Sequence, residues 1–281
     1  IYKDHKVIQS HSLNQTNLNS SGEPINVSVQ SNVKEIYEKI LNKSIKLLEL
    51  CDVYNGVKPF EKGKGRPPQT EKTLKEKPFV FEGEKPNTKW RPLLRGSLIK
   101  KYTNLWNDNY WILYGEWLAA PRDPYIFECD EKIMIRQTGD SLIATIIPSG
   151  FIARNNIHII ITKSANLKFI LGLINSKLMD FVYRYINPEK GEALAEVKKR
   201  HVEILPIKKV ELTNKPDKEK HGQIVKFVVN LLKLNKELQK TKLETQRNQL
   251  QRAIEHSEKK IDELVYGLYG LSKEEVAIIE T

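Results

Sequence analysis

Hydrophobic positions change their period several times along the chain. Residues 1–32 are polar, dominated by Asn, Ser and Gln, and one short apolar alternation at Ile25, Val27 and Val29 predicts an edge strand within a connector. From 33 to 48 the apolar residues Val33, Ile36, Ile40, Leu41, Ile45 and Leu48 fall at helical spacing, which predicts a helix of about four turns. Between 79 and 161 short runs rich in β-branched and aromatic residues alternate with Gly, Pro, Asn and Asp. The segments 110–114, 132–136, 142–147 and 157–162 read as strands of a β-rich core. Helical spacing returns over 166–185, where Leu167, Ile170, Leu171, Ile174, Leu178, Phe181, Val182 and Tyr185 share one broad face, and 201–210 again reads as a strand.

Residues 218–281 are helical in pattern throughout. Ile224, Val228, Leu231, Asn235 and Leu238 keep a 4-3-4-3 rhythm, and Leu250, Ile254, Ser257, Ile261, Leu264 and Leu268 keep it in another phase. One straight helix cannot hold both stripes on one side, so two antiparallel helices turning near 240–245 are expected, with a kinked helix as the alternative. Thr241-Lys-Leu-Glu244 has the form of a capping box for the second helix, and Ser272-Lys-Glu-Glu275 of another for a short terminal helix. The expected fold class is α+β: a mixed, mostly antiparallel β domain crossed by an apolar helix and followed by a C-terminal helical hairpin. The boundaries fall at 1–45 for the connector, 46–215 for the β domain and 216–281 for the helical region.

A chain of 281 residues with 40% hydrophobic residues, four Trp and eleven Tyr belongs among globular proteins. No run of about 18 apolar residues is present to span a bilayer. The two cysteines, Cys51 and Cys129, have no CxxC spacing and no nearby histidine cluster, so a zinc site or disulfide framework is not indicated and a reducing cytoplasm is expected. The sequence opens on Ile1, without Met or a signal segment, and reads as part of something longer.

Charge sharpens the picture. The net charge is +11, and residues 56–101 hold thirteen Lys/Arg against five Glu, 13 − 5 = +8 of it, in a stretch too rich in Gly and Pro to be a helix. Loops of this composition expose backbone N–H groups together with cations, which suits a polyanion held by both. Lys62, Lys64, Arg66, Lys100 and Lys101 are candidate phosphate contacts, and Arg91, Arg95, Arg122 and Arg154 candidate readers of base edges, since a guanidinium can pair with guanine O6 and N7. Asn155 and Asn156 beside Arg154 have the amides to pair with adenine N6 and N7, or else simply mark a turn. Together these cations and the β scaffold are expected to form one continuous groove for double-stranded DNA. Among the interleaved aromatics, Trp111, Tyr114 and Phe127 are expected in the core, while Trp90, Trp106 and Tyr125, close to turn signals, are left as bases' stacking candidates.

Motifs for catalysis are thin. Lys62-Gly-Lys-Gly-Arg66 lacks the P-loop spacing, no strand precedes a G-x-G-x-x-G, and the six histidines are scattered. Asp123-Pro124-Tyr125 is one proline short of the tetrapeptide of amino-methyltransferases and reads as a turn. Asp123 with Asp130-Glu131-Lys132 matches the D…(D/E)-x-K metal site of Mg²⁺ nucleases, which defines a first alternative function. A protein-interaction module built on the helical hairpin is a second.

Several segments taken in order resemble a known family. Tyr54-Asn-Gly-Val-Lys-Pro-Phe60, Gly63-Lys-Gly-Arg-Pro67, Pro92-Leu-Leu-Arg-Gly96, Lys132-Ile-Met-Ile-Arg136, Leu171-Gly-Leu-Ile-Asn-Ser-Lys-Leu-Met179 and Ile261-Asp-Glu-Leu-Val-Tyr-Gly-Leu-Tyr-Gly-Leu-Ser-Lys-Glu-Glu275 are similar to the TaqI-like C-terminal specificity domain of adenine-N6 DNA methyltransferases, including fused type II restriction-modification enzymes. The resemblance spans roughly 46–281 and makes 46–215 a target-recognition domain. It implies that 1–45 joins it to a catalytic domain outside this chain, that S-adenosylmethionine binds there with no cofactor here, and that the target adenine is flipped into that domain. It further implies that this chain alone neither methylates nor cleaves DNA, that the helical region is a spacer or packing surface, and that Asn175 and Ser176 cap and pack.

Overall fold

The computed structural model describes residues 2–3, 6–7, 31–187, 195–211 and 213–281, so the edge strand expected at 25–29 lies outside the described residues. Tyr2–Lys3 (β1) pairs antiparallel with Lys6–Val7 (β2), and Ser31–Leu41 (α1) follows. The helix expected to reach Leu48 ends at Leu41: Asn42 and Lys43 turn the chain, the Ser44 hydroxyl donates to the Ile40 carbonyl (2.7 Å), and Ser44–Lys46 (β3) becomes a strand. Tertiary pairing overrides the helical period there. Leu47–Leu50 (α2) adds one turn before Cys51–Asn55 (β4). Ile36 and Ile40 of α1 are buried, so part of the stretch read as a connector belongs to the core.

After a long loop come Glu71–Glu76 (α3), Val80–Glu82 (β5), Trp90–Leu94 (β6), a 3-10 turn at Gly96–Leu98, and the ribbon Ile99–Lys100 (β7) with Thr103–Asn104 (β8). Tyr110–Leu113 (β9), Tyr125–Glu128 (α4), Glu131–Arg136 (β10), Ala144–Pro148 (β11), Ile152–Ala153 (β12) and Ile157–Thr162 (β13) complete the strand-rich part. All four strands expected from the apolar runs are present at nearly the expected limits. They do not form one core. The strands make two four-stranded sheets, β11-β10-β13-β4, wholly antiparallel, and β12-β6-β9-β5, in which only β12 and β6 run parallel.

The first sheet is buried on both faces. Ile133, Ile135 and Ile160 point into a core shared with the helices, whereas Met134, Ile157, Ile159 and Ile161 point into a second core shared with the other sheet. That is why β10, β11 and β13 read as apolar runs with few polar interruptions and not as an in-out alternation, which only β4 shows.

The expected long apolar helix is two, Leu167–Ile174 (α5) and Lys177–Ile186 (α6), broken at Asn175 and Ser176. Ser176 is the N-cap of α6, its hydroxyl accepting from Met179 N–H (3.3 Å), and Asn175 turns its amide to the sheet. The single strand expected over 201–210 is likewise replaced by Lys199–Glu203 (α7) and Pro206–Lys208 (β14). Only β14 has a partner, β3, with Ile207 opposite Ile45, and His201 and Val202 are buried in the helical turn.

Lys215–Lys240 (α8) and Glu244–Tyr269 (α9) form the expected hairpin, and Lys273–Ile279 (α10) closes the chain. The 272–275 capping box forms, with Ser272 N–H donating to Glu275 Oε2 and Glu275 N–H to Ser272 Oγ (3.3 Å). The 241–244 box does not: Leu243 sits at the N-cap of α9 without a side-chain cap, and the Thr241 hydroxyl donates back to Glu237 carbonyl (2.8 Å). Arg247 holds this turn instead, donating to the carbonyls of Leu238 and Thr241. The hairpin's apolar stripes are consumed in the first core, where Ile224, Val228 and Leu231 meet Ile254, Ile261 and α5. Gly172 allows that approach, since a Cβ there would stand 2.7 Å from Ile224 Cγ2 and 3.0 Å from Val228 Cγ2.

Candidate nucleic-acid interface

The cationic loop of 56–70 is built on close backbone packing. Gly56 donates to Ile157 carbonyl (3.1 Å) and Val57 to Ala153 carbonyl (2.7 Å), while Lys58 and Ala120 exchange backbone hydrogen bonds of 3.0 and 2.9 Å. A Cβ on Gly56 would lie 2.1 Å from the Arg154 carbonyl oxygen, so only glycine fits this crossing. Beyond it the loop winds around one buried amide. Gln69, 4% exposed, donates from Nε2 to the carbonyls of Pro59 and Trp117 (both 2.8 Å) and accepts from Glu61 N–H (2.9 Å). Its backbone adds bonds to Gly63 and Lys64, and Arg66 N–H is held by Glu116 carbonyl (2.9 Å). The result is a fixed loop from which Lys62, Lys64 and Arg66 are exposed. Lys62 pairs with Glu71 at the surface, a contact of small energy.

The other expected contact residues divide. Arg122 is exposed, adopts a left-handed backbone (φ 66°), and donates from Nε to Gly56 carbonyl (3.1 Å), which sets it beside the same crossing. Asn155 is exposed in the β12–β13 turn, whereas Asn156 accepts from Gly96 N–H (3.3 Å) and so serves the turn. Arg91 is turned inward: Nη1 meets Glu128 at 2.6 Å, Nη2 donates to Gly150 carbonyl (3.1 Å), and its guanidinium lies over Tyr114. Lys101 is also committed, donating to Asn175 carbonyl (2.9 Å) and Asp180 Oδ2 (3.1 Å) beneath the helices. Lys100 is exposed on the ribbon β7–β8, which packs against β10, β11 and α8.

Arg95 and Arg154 come together. Each follows directly on one of two paired parallel strands, with Ala153 opposite Leu94 and Arg154 N–H donating to Leu94 carbonyl (2.9 Å). They line a cleft of about 250 Å³ with Phe60, Lys77, Val80, Glu82 and Tyr110. Arg154 Nη1 donates to Tyr110 Oη (3.0 Å), and the Arg95 guanidinium lies 4.9 Å from the centre of the Tyr110 ring. Gln69, Tyr110 and Glu82 were not among the expected site residues. No spacing singles them out, because each gains its role only from the strand register or the loop path.

Trp111 and Phe127 are buried as expected, and Tyr114 packs on Phe127. Trp106 also proves structural, edge-on to Trp111 and Phe151 with Nε1 donating to Tyr110 carbonyl. Tyr125 remains 56% exposed at the start of α4, where its N–H donates to Asp123 Oδ1 (2.9 Å) in a local turn. The nuclease alternative loses its lysine: Lys132 is fully buried, donates to the carbonyls of Phe127 and Pro148 (both 3.0 Å), and is pushed toward the neutral amine by burial. Among the described residues no group of three or more His, Cys, Asp or Glu is placed to hold a metal ion, and no helix is long and apolar enough to cross a membrane.

Comparison with known proteins follows the same part of the fold. The model of the TaqI-like C-terminal specificity domain family matches residues 91–207. No curated protein matches the chain. Similar solved structures include the type IIL restriction-modification enzyme MmeI in complex with DNA, at 12% identity and TM-score 0.48 over 84% of this chain and 36% of that one. Others are the type IIG restriction endonuclease BpuSI, at 12% identity and TM-score 0.41 over 84% of this chain and 33% of that one, and the HsdS subunit from Thermoanaerobacter tengcongensis, at 8% and 0.33 over 85% and 50%. The chain spans about a third of the length of the first two. The segment similar to the TaqI-like C-terminal specificity domain thus runs from Arg91 in β6 through β7–β13 and the α5–α6 pair to β14, and leaves β4 and β5 outside it.

Proposed function

We propose that this chain is the double-stranded DNA target-recognition module of a restriction-modification enzyme, and that it places a target adenine for an S-adenosylmethionine-dependent methyltransferase domain to which it is covalently linked. The observation that carries the proposal is the junction between the specificity-domain segment and the preceding basic loop. Arg122 and the turn at 153–157 fasten Gly56 and Val57, so the base of the basic loop is tied to the turn that carries Arg154, and Phe60 of that loop lines the cleft of Arg95 and Arg154. Lys62, Lys64, Arg66 and Lys100 act as phosphate contacts, and Arg122 and Asn155 read base edges. Arg91, Lys101 and Asn156 position the surfaces around them. The catalytic steps belong to the linked domain, and no cofactor is assigned to this chain.

Enrichment from a randomised duplex library tests the proposal. The chain is expected to select one short duplex sequence, and no methyl transfer or Mg²⁺-dependent cleavage is expected from it alone. Recovery of unselected sequence at every salt concentration, or cleavage abolished by Asp130→Ala, overturns it.

A further inference from the structure

Two arginines at the same end of adjacent parallel strands should repel each other, and an acid between them would be the ordinary remedy. Here the only carboxylate lining their cleft is Glu82, whose Oε1 is 3.7 Å from Arg95 Nη2, too far for a hydrogen bond. Arg154 has no carboxylate partner among the described ion pairs and is steadied by a neutral phenol, Tyr110 Oη. The Nε–H groups of Arg95 and Arg154 are both buried without an acceptor. With Lys77, the lining carries three cations against one anion, a surplus of 3 − 1 = +2. Those buried Nε–H groups are out of a ligand's reach, but the surplus of charge in one cleft is itself costly and is tolerated where an anionic ligand neutralises it.

We infer that this cleft is a clamp for one phosphodiester of the DNA backbone, gripped by the paired guanidinium groups of Arg95 and Arg154 with Tyr110 fixing their spacing. The inference rests on the target-recognition reading and departs from the expectation that these two arginines read base edges. The guanine edge also offers two acceptors, O6 and N7, but it is uncharged and would leave the cleft's surplus of +2 unneutralised. A phosphodiester presents acceptors only and matches the planar fork of arginine. The site is also recessed: its lining includes the strand residues Val80 and Tyr110. A backbone phosphate pressed into the cleft would therefore fix the register of the duplex against the exposed loop cations.

The test uses the intact chain and its selected duplex, with binding followed by fluorescence anisotropy from 50 to 300 mM salt. Arg154→Gln and Arg95→Gln are each expected to weaken all duplexes alike, by roughly tenfold at 0.1 M salt, and to reduce the slope of log K against log salt by about 1. In parallel, methylphosphonate is substituted at one phosphate at a time. One neutralised position should weaken the wild-type chain and leave Arg154→Gln unaffected, and the wild-type scan decides the matter even where a variant fails to fold. If the variants keep the slope and instead relax preference at one base pair, or if no single phosphate matters, the clamp is refuted while target recognition stands. If the wild-type chain binds no duplex, the target-recognition reading itself falls, and the clamp with it.

Discussion

Asn175 and Ala144 exchange two hydrogen bonds of 3.0 Å, Asn175 Nδ2 to the Ala144 carbonyl and Ala144 N–H to Asn175 Oδ1. The side-chain amide thus pairs with β11 as another strand would. Because β11 is at the edge of the first sheet, this pairing both covers the edge and sets where α5 must stop. Both residues are buried, so removing the amide strands Ala144 N–H without water. Asn175→Ala is expected to cost about 2–3 kcal/mol, read as a lowered urea midpoint at unchanged m-value. The exposed control Asn155→Ala should stay within about 0.5 kcal/mol.

Gln69 governs the basic loop in the same way. Its side chain makes three hydrogen bonds while almost excluded from water, so Gln69→Ala leaves the Trp117 carbonyl and the Glu61 N–H without these partners and the Pro59 carbonyl with only its 3.3 Å bond from Ala119 N–H. Amide exchange at residues 61–69 should quicken by at least tenfold, an opening cost lowered by about 1.4 kcal/mol or more. DNA affinity should fall because loop ordering is then imposed on binding. Unchanged exchange in this loop would show that Gln69 does not hold it.

Asp262 gives the fold a pH dependence. Burial pushes its carboxyl up to about 6 from 3.8, against the opposing pull of the Lys177 N–H, which donates to Asp262 Oδ1 at 2.9 Å, and of the Lys177 and Lys101 charges. The folded value is above the unfolded one, so the stabilising contribution is fully present below 3.8 and is lost as pH rises through about 6. Asp262→Asn keeps the acceptor and cannot ionise. It should match the wild type at low pH and exceed it at pH 8, by about 3 kcal/mol. Denaturant midpoints of the two proteins from pH 4 to 8 measure this, and parallel curves would contradict it.

Lys101 and Lys64 separate structural from exposed cations. Lys101 is 32% exposed and paired with an Asp180 that is 18% exposed, so Lys101→Ala should lower stability by about 1–3 kcal/mol. It should leave the salt slope of DNA binding unaltered. Lys64→Gln should do the reverse, leaving the unfolding midpoint in place and reducing the slope by about 1.

How far the sequence could be read depends on what each residue answers to. The strands 131–136 and 157–162 were legible because burial on both faces leaves consecutive apolar residues, Ile133–Ile135 and Ile159–Ile161. The same fact hid the second core, since a run apolar on both sides does not say that two different layers cover it. The helix break at 175–176 was not visible in the apolar period, which continues across it, because Asn175 answers to Ala144, far away in sequence. For the site, the excess of cations over 56–101 was plain from composition, and so was the exposure of Lys62, Lys64 and Arg66. That Arg91 would be spent on Glu128, and Lys101 on Asp180, was not, because each acid arrives through tertiary packing. The Arg95–Arg154 pair follows from a parallel register between β6 and β12, a pairing of strands widely separated in the chain that local pattern does not encode.

Whether the loop fastened at Gly56 and Gln69 presents its cations to duplex DNA is decided by the salt dependence of duplex binding for the wild-type chain and for Lys62→Gln/Lys64→Gln/Arg66→Gln together, with unfolding midpoints confirming that both are folded. The wild type should bind at 50 mM salt and weaken steeply as salt rises, and the slope should be smaller by about 2–3 in the triple variant. Equal slopes for the two proteins, or no binding by the wild type at 50 mM salt, would contradict it.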